Sequence, residues 1–117
     1  MTVEQTDVVD IISTDKLGRV VLTISDHLNW SDSLRHQTIL QAKFNAYLGF
    51  VESGEILESY PRAVGRQIVF KVAFKFKPDK AGMEFLSNAK SVIESAGFSM
   101  HHKVFHEHSD GTLEEVP

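Results

Sequence analysis

The sequence predicts an α+β fold: a two-layer α/β sandwich of order ββαβαβ, with a mixed four-stranded sheet and two helices on one face. Three observations predict it. Residues 67–77 alternate strictly between apolar and polar or small side chains, the period of a half-buried strand. Two longer segments instead repeat their apolar residues at three- and four-residue spacing, the period of a helix with one buried stripe. Two β-branched runs flank Asp15-Lys-Leu-Gly18, which reads as a hairpin turn because Gly18 can take positive φ without a steric cost. Strands with one apolar face and helices with one apolar stripe bury each other in two layers.

In chain order, residues 7–14 form the first strand and 19–26 the second. Val20, Leu22 and Ile24 share one face of the latter. From Trp30 the period changes, and Leu34, Leu40, Phe44, Tyr47, Leu48 and Val51 mark the first helix. Ser31 is the expected N-cap, with Asp32 in the first turn at the positive end of the dipole. Gly54 ends or bends this helix, and residues 55–60 add a turn before Pro61 stops it. In the third strand Ile68, Phe70, Val72, Phe74 and Phe76 face inward, leaving Val69, Lys71, Ala73, Lys75 and Lys77 on a wet face. Asp79 caps the second helix, whose stripe is Phe85, Leu86, Ala89, Ile93 and Ala96. Gly97-Phe98 closes it as a Schellman motif. A fourth strand runs from Ser99 to about His106, and Asp110-Gly111 opens a tail. Strand–helix–strand connections of this length favour parallel neighbours. The domain spans 7–108, with polar acidic tails at 1–6 and 109–117.

Composition narrows the function. The 117 residues carry no cysteine, which excludes a disulfide framework, a thiol nucleophile and cysteine-ligated metal. A formal charge of −4 argues against general nucleic-acid binding. No run approaches the ~18 apolar residues that read as a membrane span, and the polar acidic start is unlike a signal peptide. A cytoplasmic protein is expected.

Four groups of residues invite a chemical reading. Four of the six histidines fall within residues 101–108. On a strand His106 and His108 point together, ~6.6 Å apart at ~3.3 Å per residue, and can converge on an ion such as zinc. His102 lies too far along, and His101 faces the other way. A strand end with solvated imidazoles explains the same residues without a cofactor, so none is expected. Asp26 and His27, at the junction of second strand and first helix, form the pairing a general base would need. No nucleophile accompanies them, and Trp30 reads as a plug whose indole N–H needs a partner. Glu52, Glu55 and Glu58 read as a solvated helix end. Finally, the lysines of the third strand suit an interaction face for a protein partner or a second copy of the chain, with Val69 and Ala73 as its apolar part; lysines guarding an open sheet are the plainer account.

Residues 7–13, the stretch Val21-Leu-Thr-Ile-Ser-Asp-His-Leu-Asn-Trp-Ser-Asp32, and Lys43-Phe-Asn-Ala-Tyr-Leu-Gly-Phe-Val-Glu-Ser-Gly-Glu55 together resemble a family of small uncharacterised bacterial proteins, a domain of unknown function. The resemblance spans roughly residues 7–105. It implies a bacterial, cytosolic, stand-alone domain and brings no activity or catalytic residues. The histidine-rich fourth strand is not part of the pattern. The resulting expectation is a non-enzymatic interaction module, with a metal-binding protein using His106 and His108, or a small-molecule enzyme using Asp26 and His27, as alternatives.

Overall fold

A computed structural model describes residues 11–116; the tail at 1–6 and residues 7–10 of the expected first strand lie outside the described residues. Strands β1 (Ile11–Thr14) and β2 (Val20–Asp26) pair antiparallel across the anticipated turn. The Asp15 carboxylate holds that turn, accepting from the Leu17 and Arg19 amides and from the Arg19 guanidinium at 2.7 Å. Gly18 supplies φ 80°, where a β-carbon would be strained.

Helix α1 (Ser33–Glu52) follows, then a short α2 (Glu55–Ser59) and a 3-10 turn at Pro61–Ala63. Strand β3 (Ile68–Phe74), helix α3 (Lys80–Ser95) and strand β4 (Ser99–Glu107) complete the alternation. A fifth strand, β5 (Leu113–Val116), then turns back antiparallel onto β4. The sheet order is β1-β2-β3-β4-β5, with β2, β3 and β4 parallel and both outer strands antiparallel. Both crossovers step the same way across the sheet. With one handedness of crossover, this sends both long helices to the same face. The core is accordingly one cluster: Val20, Leu22 and Ile24 of β2, Phe70, Val72 and Phe74 of β3, Leu40, Phe44 and Tyr47 of α1, and Leu86 and Ile93 of α3.

The α+β class and the mixed sheet hold, but the four-stranded count and the order ββαβαβ need correction. Residues 109–117 are not wholly a tail, because β5 lies among them. The Asp110-Gly111 pair is a hairpin turn. The Gly111 amide donates to the His108 carbonyl, the His108 amide to the Thr112 carbonyl, and Gly111 sits at φ 89°. That is the three-residue hairpin with glycine in the left-handed position.

Three local expectations shift as well. Asp32, not Ser31, is the N-cap of α1, its carboxylate accepting from the Arg35 amide. Leu34 is 75% exposed, and the place it was expected to fill belongs to His36, which starts the buried stripe His36, Leu40, Lys43, Phe44, Tyr47. Strand β3 stops at Phe74, so Phe76 leaves the core and is 42% exposed. The chain departs there because it must reach the cap of α3 at Asp79, which receives the Gly82 amide. The end of α3 is the anticipated Schellman motif: the Phe98 amide donates to the Ile93 carbonyl and the Gly97 amide to that of Glu94.

Candidate functional site

The carboxyl ends of β2 and β3 and the N-termini of α1 and α3 meet at one end of the sandwich. There Asp26, the last residue of β2, turns its carboxylate inward. Its Oδ1 accepts from the Leu28 amide at 3.0 Å, and its Oδ2 lies 2.5 Å from Nε2 of His36. The side chains of His36 and Asp26 are 2% and 0% exposed. His36 Nδ1 faces the Asn29 carbonyl at 3.1 Å. A carbonyl only accepts, so Nδ1 carries a hydrogen. A single proton then remains to be shared between Nε2 and Oδ2, and the pair is neutral overall whichever side holds it. Burial pushes the Asp26 carboxyl above the usual carboxylate range, against the lowering effects of the His36 hydrogen bond and charge, the Leu28 amide and the His27 charge.

Trp30 seals this junction. Its ring stacks on His36 with centroids 3.7 Å apart, lies 5.9 Å from Phe74, and donates its indole N–H to the Phe76 carbonyl at 3.2 Å. Gly82 in the first turn of α3 makes room for it: a β-carbon there would fall 2.6 Å from the Trp30 ring. Gly82→Ala is therefore expected to cost about 1–3 kcal/mol. It should also shift the emission of Trp30, the one tryptophan of the chain, to the red. Unchanged emission and an unchanged urea midpoint would show that the ring is not wedged there.

Of the residue pair proposed for catalysis, Asp26 and His27 are not brought together as a working site. Asp26 is buried against His36, whereas His27 is exposed. The sequence offers His36 only by residue type, as a third ligand to a metal alongside His27 and Asp110; its pairing with Asp26 is what sequence reasoning missed. The position of His36 four residues before Leu40 and eight before Phe44 was the available signal. The arrangement fastens the β2–α1 loop to the core, and both imidazole nitrogens of His36 are already engaged.

His106 and His108 do approach each other, with ring centroids 5.0 Å apart and planes perpendicular. His108 lies past the end of β4, and its Nε2 is 2.9 Å from Oε2 of Glu114. Among the described residues, no three histidine, aspartate or glutamate side chains are arranged to hold a metal ion.

The helix-free face of the sheet gathers more charge than β3 alone suggested. Thr23, Lys71 and His101 lie in one row across β2, β3 and β4, and Ser25, Ala73 and Lys103 in the next. Lys71 and Ala73 are half-buried and Val69 is fully buried, whereas Lys75 and Lys77 lie beyond the end of β3 and are exposed. The lysine row expected on one strand is thus continued sideways instead, by β4. The Lys71 ammonium sits 5.8 Å from the centre of the Phe105 ring, and Lys103 pairs with Glu115 at 2.8 Å. Burial first, then the charges of Lys71, Lys103 and Arg19, push the His101 imidazole below its usual pKa. These cations therefore surround a neutral ring at pH 7. The alternation of β4 could have placed His101, Lys103 and Phe105 on one side, but only the strand order sets them beside Lys71.

Residues 1–106 match the model of a family of unknown function, DUF6572. The chain belongs to that family. The matched stretch includes Asp26, Trp30, His36, Lys71 and Lys103, and stops before His108 and β5. No curated protein and no solved structure matches the chain. No described helix is long and apolar enough to cross a membrane.

Proposed function

We propose that this chain is a non-enzymatic interaction module of the bacterial cytoplasm that receives an acidic segment of a protein partner on the helix-free face of its sheet. The observation that carries this reading is the position of Lys71. It stands in the middle strand of the sheet, half-buried, against Phe105 and beside His101. Its charge is felt at His101 together with those of Lys103 and Arg19. A cation over an aromatic ring with small Thr23, Ser25 and Ala73 around it suits the centre of an interface. Arg19 and Lys103, already paired with Asp15 and Glu115, suit its rim. A second copy of the chain is the competing occupant, since its net charge of −4 supplies acidic surface. The enzymatic reading has less behind it, because His36 offers no unengaged ring nitrogen to a substrate.

The test is titration calorimetry with an acidic, aromatic-containing peptide at two salt concentrations, beside sedimentation of the chain alone. Binding that weakens with salt, and that Lys71→Glu weakens about tenfold (~1.4 kcal/mol), supports the proposal. A Lys71→Glu protein that binds as tightly as the parent overturns it, and so does salt-sensitive self-association without peptide binding, which would make the face a homodimer surface.

A further inference from the structure

Two helices cannot cover five strands, and the uncovered part of the core-side face lies along β4. A cleft of about 370 Å³ opens there, between α3 and β4, lined by Met83, Leu86, Ser87, Lys90, Met100 and His102. A second hollow of about 500 Å³ shares Met83 and His102 with it and runs on past Lys77, Lys103 and Val104. Each has the size of a small-molecule site. Leu86 and Met100 are almost wholly buried at its base, whereas Met83 is 42% exposed at its mouth. Methionine walls adapt to varied apolar shapes.

The polar lining is one-sided. Lys90 stands at one end and Lys77 and Lys103 at the other. Among the described residues the one acid of the lining is Glu115, which is held by Lys103 at 2.8 Å. Among the described residues neither Lys77 nor Lys90 has an ion-pair partner. His102 sits between these ends with its ring edge-on to Phe74 at 5.7 Å. Burial, and then the Lys90 charge, lower its pKa, so the ring is neutral at pH 7 and adds no charge.

We propose that this cleft binds a small monocarboxylate with an apolar body, its carboxylate set against Lys90 or Lys77 and its body lying along Met83, Leu86 and Met100. The apolar base excludes a fully hydrated anion, and the unbalanced ammonium groups at both ends disfavour a neutral or cationic guest. The base of this site, Leu86, Met100 and His102, lies on the side of the sheet opposite the face assigned to a protein partner, and the two share only the Lys103–Glu115 pair at their common edge. Because the test varies Lys77 and Lys90 and not Lys71, the two proposals are tested separately.

Two of the three methionines of the chain provide the test, because Met83 and Met100 line the cleft. Methyl spectra would be followed while decanoate, kept below its micellar range, is titrated into the full chain, with decanol as the uncharged control. The expected result is saturable shifts of two methyl signals, those of Met83 and Met100. Decanol should bind about tenfold more weakly, and a Lys77→Gln, Lys90→Gln variant should lose most of that preference. Absence of saturable shifts overturns the proposal. Equal binding of decanol, or a carboxylate preference that survives in the double variant, overturns it too, since the charge selection would then be missing. Both lysines are exposed, so an unchanged urea midpoint of the variant keeps loss of binding distinct from loss of fold.

Discussion

Replacing Asp26 by alanine is expected to destabilise the protein by about 3–5 kcal/mol, because it strands a buried, polarised imidazole without its partner. Against a total stability of ~5–15 kcal/mol for a domain, that brings the chain close to unfolding. Asp26→Asn should behave differently. Its amide can donate to His36 Nε2 while its carbonyl accepts from the Leu28 amide. Every group at the junction then keeps a partner, and the loss should stay near 1 kcal/mol. Urea denaturation of the two variants checks the contrast, and equal losses would remove the shared-proton account of the pair. The pH dependence follows from the direction of the Asp26 shift. Its pKa is raised in the folded chain above the ordinary 3.8. The folded state therefore favours the protonated form, and that contribution is fully present below 3.8 and lost as pH rises through the folded value. Asparagine does not titrate. The stability difference between parent and Asp26→Asn should accordingly shrink as pH rises, and a difference that widens would contradict the burial argument.

Phe70→Ala is the second large expected effect, at about 3–5 kcal/mol. Phe70 is fully buried in the central strand, meeting Tyr47 edge-on at 6.2 Å and stacking on Phe98 at 5.8 Å. Contacts from α1 and from the turn that ends α3 surround it, so little can move in to fill the space. Phe76→Ala, the same chemical change six residues on, should cost less than about 1 kcal/mol because the side chain lies outside the core. Thermal or urea unfolding of the two variants compares them directly. Similar losses would mean that β3 continues through Phe76 after all.

That pair of phenylalanines marks how far the pattern could be read. Alternation shows which side of an extended segment an apolar residue takes, and Phe70 and Phe76 share a phase. It does not show where the strand must stop, which depends here on the distance to the Asp79 cap. The same limit explains β5. Leu113–Val116 has no apolar–polar alternation, since two glutamates stand between its apolar ends, although Asp110-Gly111 is a recognised hairpin signal.

The site shows the division more sharply. Asp26 was legible as a carboxylate at a strand–helix junction, and Trp30 as a plug in need of a hydrogen-bond partner. Proximity in sequence pointed to His27, but adjacent residues on extended chain point to opposite sides. The histidine that meets Asp26 comes from the first turn of α1, where the 3.6-residue period carries His36 onto the same stripe as Leu40 and Phe44.

What the sequence by itself determined is local: the periods of strands and helices, the hairpin at Gly18, the Schellman stop at Gly97, and the absence of cysteine chemistry. These depend on interactions over a few residues. Only the tertiary structure decided which strands are neighbours, and with that which cations surround His101, which imidazole shares a proton with Asp26, and where α3 leaves β4 uncovered. Such juxtapositions arise from packing segments distant in the chain, and no spacing within one segment encodes them. The six histidines divide by environment: His36 is buried and fully engaged, His101 and His102 are neutral on opposite faces of β4, and His106 and His108 meet at the last hairpin, while His27 stands exposed at the junction of β2 and α1.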